Sequence, residues 1–214
     1  MKQERAVRTR HSLIRSAAEA FERHGYVQAK LADISASAGV SLGALHFHFE
    51  NKAALATTVE TTAAVSLRRA AWIAQRPGMN ALQRLTDTSH ALVDQLHKDV
   101  VSRAGFQLSG EAAHPGNVNL RQEWQACVQQ LLSEACDERL LAGHMEQHDM
   151  VAAIVAATTG FELLGRKDPQ WVSHRSLSGF WRLVMPCLAT PAALVEVDPA
   201  STVRELESMA AMTV

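Results

Sequence analysis

The chain has 214 residues with 21 Lys plus Arg against 22 Asp plus Glu, a net charge of -1. That length buries a substantial core as one large domain or two small ones, and the neutral balance excludes a uniform polycation that would coat nucleic acid along its whole surface. Apolar residues at 47% and charged residues at 20% exclude wholesale disorder, and the 35 alanines, with one Tyr, predict an all-α chain. Three scattered cysteines, Cys127, Cys136 and Cys187, make no disulfide framework and suit a reducing compartment.

The opening residues MKQERAVRTRH are basic but have no apolar run behind them, so no signal peptide is expected. The charge is uneven. Residues 1–52 carry eight basic and five acidic side chains, a local excess of +3, and five of the eight fall within the first 15 positions. Such an end can bind phosphate while the whole remains neutral.

Residues 6–24 read as an amphipathic helix with Ile14, Ala17, Ala18 and Phe21 on one face, stopped at His24-Gly25. A short helix over 31–38 places Leu31, Ile34 and Ala38 together, and Gly39 ends it. Ser41 then caps a helix over 42–48 that turns Leu45 and Phe49 inward, and Asn51 caps a long helix over 52–75 ended by Pro77-Gly78. Further helices are expected over 79–97, 99–110, 118–141, 148–165, 173–189 and 200–211, with no strand-like alternation.

Two late segments are unusually apolar. Val151 to Leu164 is apolar or small nearly all round and should be buried on several sides. Its longest apolar run is about 11 residues, against roughly 20 for a membrane span. Leu177, Phe180, Trp181, Val184, Met185 and Leu188 form one continuous helical stripe, which serves equally as intramolecular core or as an interface with a second copy.

The stretch from Gly25 to Leu55 holds two short helices separated by Ala38-Gly39-Val40-Ser41, a helix-turn-helix arrangement whose second helix can enter a DNA major groove. A generic helix pair has the same spacing. The residues Ala17-Ala18, Phe21, Gly25-Tyr26, Ile34, Ala38 to Ser41, Gly43-Ala44-Leu45, Phe47-His48-Phe49, Lys52 and Leu55 resemble the DNA-binding domain of TetR-family transcriptional regulators. Asp99 to Leu108, Glu123-Trp124 and Met185-Pro186 further resemble the ligand domain of γ-butyrolactone receptors of actinomycetes.

The resemblance implies a DNA-binding domain over 1–52 and a ligand-binding and dimerisation domain over 53–214. It implies a homodimeric, cytoplasmic, non-enzymatic repressor of double-stranded operator DNA, released by a small molecule and needing no cofactor. Arg8, Arg10, Lys30, Ser41, Leu42, Gly43, Ala44, His46, Phe47, His48 and Lys52 are its expected DNA residues. Trp124, Phe161, Ala63, Leu85 and Leu108 are the expected effector residues, and Val155, Leu177, Phe180, Trp181, Val184 and Leu188 the expected dimer contacts.

Departures from the family pattern are informative. Ala29-Lys30 replaces a capping Ser or Thr, Leu42 replaces a frequent Lys and puts an apolar tip near thymine methyl groups, and His46 replaces a frequent Tyr. Gly160-Phe161 stands where the receptors place a ligand-binding Thr after a Gly, and Ala63 where they place a Gln. Losing both polar anchors points to the branch's pseudo-receptors, which answer to other compounds and control antibiotic or secondary-metabolite genes; a true butyrolactone receptor is the alternative. A helical protein-binding scaffold is a more distant one. So is a metal enzyme built on His144 and His148, although the zinc-hydrolase order requires Glu directly after the first His and here Met145 stands there.

Overall fold

A computed structural model describes residues 2–114, 116, 118–143 and 145–202. Among them are ten helices: α1 (Lys2–Gln28), α2 (Leu31–Ser37), α3 (Leu42–His48), α4 (Lys52–Ala74), α5 (Ala81–Lys98), α6 (Val100–Leu108), α7 (Leu120–Asp137), α8 (Gln147–Gly165), α9 (His174–Leu188) and α10 (Pro191–Glu196). The only β pairing among the described residues is an isolated bridge between Leu141 and Ala189. No described helix is long and apolar enough to cross a membrane.

Local chemistry sets most boundaries. Ser41 Oγ accepts from Ala44 N at 3.1 Å, Asn51 Oδ1 from Ala54 N at 2.9 Å, and Asp99 from Val101 N and Ser102 N, so α3, α4 and α6 begin where their capping side chains stand. α1 kinks at Gly25 (φ 74) and continues for one more turn, where the sequence reading ends it. α10 is absent from the sequence reading. Thr190-Pro191 is a break there, but Thr190 caps a new helix with Pro191 in its first turn, a position where a missing N–H costs nothing. Of the helix expected over 200–211, residues 200–202 are turn and bend, and the rest lies outside the described residues.

Packing divides the chain into two compact units, each drawn from separated stretches. The first comprises residues 1–67 and 98–121. Its core joins Leu13, Ile14, Ala17, Ala18 and Phe21 of α1 to Ile34, Leu45, Phe49, the start of α4, and Ala104 and Leu108 of α6. The second comprises, among the described residues, 68–97 and those from 122 to 202, built around Leu82, Leu85, Val128, Leu131, Leu132, Ile154, Leu177 and Trp181. The sequence boundary at 52/53 falls instead at the start of α4.

Within the second unit, α5 buries a polar face. Gln83 and Asp87 hold the segment at Asp198–Thr202 through hydrogen bonds to Asp198 N, Asp198 O, Thr202 N and the Thr202 hydroxyl, while His90 Nε2 bonds Pro199 O. The segment supplies the partners these buried groups require.

Candidate functional site

α2 and α3 form the helix-turn-helix. Ala38 N bonds Ile34 O, Gly39 N bonds Ala36 O and Val40 N bonds Ser35 O, closing α2 with Gly39 at φ 68, a conformation only glycine adopts freely. Leu45 and Phe49 pin α3 to the core, which turns Leu42, Gly43, His46 and Phe47 outward. A Cβ added at Gly43 meets only Ser41 Oγ, at 3.9 Å. Nothing within the chain therefore calls for glycine there. Lys30 precedes α2 in extended conformation with no side-chain cap, as its sequence suggests, and its side chain is exposed.

The expected DNA residues separate into two groups. Arg8, Ser41, Leu42, Gly43, His46, Phe47 and Lys30 are exposed, while Ala44 and His48 are half-buried. Arg10 lies exposed over the Phe49 ring, 5.5 Å from its centroid. Lys52 departs from expectation. Its Nζ donates to Val27 O (2.9 Å) and Ala29 O (3.1 Å) and sits 4.8 Å from the centre of the Tyr26 ring. Its charge ties the end of α1 to the start of α4, so it orients the helix-turn-helix from within.

α6 is part of this unit. Arg103 pairs with Glu22, and Glu111, just beyond α6, accepts from Tyr26 N at 3.1 Å. Gly105 crosses α4 at contact distance: a Cβ there would stand 2.3 Å from Ala63 Cβ and 3.1 Å from Val59 O. Ala63 is thus fully buried in a helix crossing, and Leu108 is fully buried in the same core.

A buried pair went unnoticed in the sequence. Glu60 of α4 and His114, after α6, are both wholly enclosed, with Nε2 and Oε2 3.6 Å apart and the His114 ring 5.1 Å from that of Tyr26. Among the described residues, neither side chain has a hydrogen-bond partner. They lie 54 positions apart, so no local pattern could have joined them.

In the second unit, Trp124 Nε1 donates to Thr158 Oγ1 (2.8 Å), whose hydroxyl donates in turn to Ile154 O (2.7 Å). Thr158 and Trp124 lie 34 positions apart, so no local pattern in the sequence joins them. Phe161 is half-buried, stacked against Trp171 and edge-on to Phe180. Leu85 is fully enclosed in the core.

Of the expected dimer residues, Leu177, Trp181 and Leu188 are wholly buried within their own chain, and Trp181 Nε1 bonds Ser89 Oγ. This corrects their assignment: the stripe's central line is intramolecular core. Phe180 and Val184 of the same stripe, and Val155 of α8, are half-buried. The expectation that 151–164 is buried on several sides also fails for the single chain. Ala152, Ala153, Ala156, Leu163 and Leu164 are exposed, and Gln125, His148, Val151, Ala152, Val155, Ala156 and Thr159 line an apolar groove of about 330 Å³. His144, one half of the zinc alternative, lies outside the described residues.

Comparison with known proteins completes the assignment. Residues 13–59 match the family of bacterial regulatory proteins of the tetR type. The A-factor receptor protein of Streptomyces griseus is 28% identical over 201 residues, covering 92% of this chain and 70% of that protein. CprB of Streptomyces coelicolor, solved in complex with its biological operator sequence, is 26% identical with a TM-score of 0.78, covering 96% of this chain and 99% of that one. A γ-butyrolactone receptor described as ArpA-like shares the fold at 24% identity and TM-score 0.79, over 92% of this chain and 96% of that one. Residues 13–59 thus form a helix-turn-helix of the TetR-family type, and over most of its length the chain resembles the γ-butyrolactone receptor branch of those regulators.

Proposed function

We propose that the chain is a homodimeric repressor that binds a pseudo-palindromic operator and is released by a small molecule, and that within its branch it is a pseudo-receptor controlling antibiotic or secondary-metabolite genes. The observation that carries the DNA reading is the Ser41-capped α3, anchored by Leu45 and Phe49 and turning its other face to solvent inside the matched residues 13–59. Phosphate contacts from Arg8, Arg10 and Lys30 supply affinity and its salt dependence.

The pseudo-receptor reading is supported by the two missing anchors. Ala63 is a packing residue against Gly105, and Phe161 belongs to an aromatic stack with Trp171 and Phe180. One observation favours a true receptor: the Thr158 hydroxyl, bonded to Trp124, is a polar group beside the residue expected to cover a lactone. The homodimer is supported by the exposed small and apolar face of α8 with the half-buried Phe180 and Val184 of α9. Release is a shift of population toward the conformation the effector binds better. Because α6 is held to α1 by Arg103–Glu22 and Glu111–Tyr26, any displacement of α6 moves the helix that carries the basic arm.

The test is a mobility shift with duplex from upstream of the protein's own gene, titrated with a γ-butyrolactone. A complex that persists supports the pseudo-receptor and directs the effector search to larger, flatter compounds. Release at low concentration makes the chain a true receptor, and absence of any complex in low salt removes the repressor reading. Trp124→Phe, which deletes the bond to Thr158, is expected to alter effector response with operator affinity intact.

A further inference from the structure

Direct readout in a major groove uses side chains that match base edges: Arg or Lys on guanine, Asn or Gln on adenine, Asp or Glu on cytosine. The outward face of α3 has none of these. It consists of Leu42, 42% exposed, Phe47, 82% exposed, Gly43 and His46, of which only His46 carries a side-chain donor or acceptor. The Ser41 hydroxyl is occupied in capping Ala44 N.

Leu42 and Phe47, five positions apart on α3, are both exposed and contribute nothing to the core of the first unit. The thymine C5-methyl is the one apolar group that a major groove presents. The surroundings suit a polyanion: Lys30 is exposed before α2, Arg10 lies over Phe49 at the end of α3, and the first 52 residues carry the +3 excess. Gly43, exposed and without a side chain, lets the first turn of α3 approach a groove floor.

Resting on the operator-binding reading above, we infer that α3 discriminates its half-site mainly by van der Waals contact with thymine methyl groups. Leu42 is the principal contact and Phe47 the second, and base hydrogen bonding from this helix is confined to His46. Sequence preference then comes from where methyl groups lie, and affinity from phosphates.

The experiment starts by enriching binding duplexes from a randomised pool with the full-length protein. If no half-site emerges, the operator reading itself fails. Given a half-site, each thymine is replaced singly by deoxyuridine, which removes the methyl and leaves every hydrogen-bonding group. We expect at least one position per half-site at which affinity falls about fourfold per methyl, and in Leu42→Ala that difference vanishes. The uracil scan on the unmodified protein decides the matter by itself. If every replacement leaves affinity unchanged, methyl readout is overturned while DNA binding stands; if Leu42→Ala retains the full difference at every position, the assignment to Leu42 is overturned.

Discussion

Gly105→Ala tests the α4–α6 crossing. The added methyl would stand 2.3 Å from Ala63 Cβ, 3.1 Å from Val59 O and 3.3 Å from Glu60 Cα. Carbon atoms pack at about 3.5–4.0 Å, so the nearest contact falls short by about 1.5 Å. Two of the three atoms are backbone and the third is a methyl fixed to its Cα, so no rotamer relieves the overlap and the helices must separate. Overpacking of this kind costs roughly 1–3 kcal/mol, and the helix-propensity gain of Gly to Ala returns about 1 kcal/mol. The net expectation is a loss of up to about 2 kcal/mol.

Gly43→Ala is the matched control. Its methyl meets only Ser41 Oγ at 3.9 Å, so it keeps or raises stability while placing bulk on the DNA face. Urea unfolding followed by circular dichroism reads the stability of both variants, and titration of an operator duplex reads binding. Gly105→Ala should unfold at lower urea and bind less tightly, because α4 shifts as α6 lifts. Gly43→Ala should lose binding without losing stability. Adding Ala63→Gly to Gly105→Ala should restore part of the loss, since the Val59 carbonyl contact remains. If Gly105→Ala were as stable as the parent or more so, with operator affinity unchanged, α6 could not be seated on α4 as described.

Three further outcomes follow from buried polar groups. His114→Leu and Glu60→Met should each cost about 3 kcal/mol by stranding the partner, and the double variant clearly less than their sum; strictly additive losses in chemical denaturation would dissolve the pair. Burial, reinforced by His174, lowers His90 to about 4, against an ordinary 6.5. Between those values the unfolded chain binds more protons, so stability rises with pH across that window. Acidification from 6.5 to 4 should remove up to about 3 kcal/mol, and parallel melting curves for the parent and His90→Gln would contradict this. Burial pushes the Cys127 thiol up to about 11, with Glu134 adding to the effect, so at pH 8 its thiolate population lies about a hundredfold below that of an ordinary thiol. Alkylation should therefore label exposed Cys136 first and Cys127 far more slowly, and equal rates would refute the burial.

Much of the molecule follows from interactions a few residues long. Ser41 and Asn51 mark the starts of α3 and α4 because a capping oxygen reaches only the N–H groups two or three positions ahead. Gly39 marks the turn because a positive φ excludes most side chains. Such features made the helix-turn-helix legible in the order of its residues. Decisions that depend on what comes from far along the chain were not legible. The stripe on α9 shows which residues are apolar, but not whether Trp181 meets Ser89 or a second copy. Nothing local in the sequence shows that Gly105 crosses Ala63, and Lys52 looks like a phosphate contact until the carbonyls of Val27 and Ala29 take its charge. No local pattern shows that Thr202 and Pro199 lie across Asp87 and His90. Periodicity and capping are local properties of a chain and can be read from it directly. Burial and the spending of a charge depend on which distant atoms arrive, and only the tertiary structure decides that.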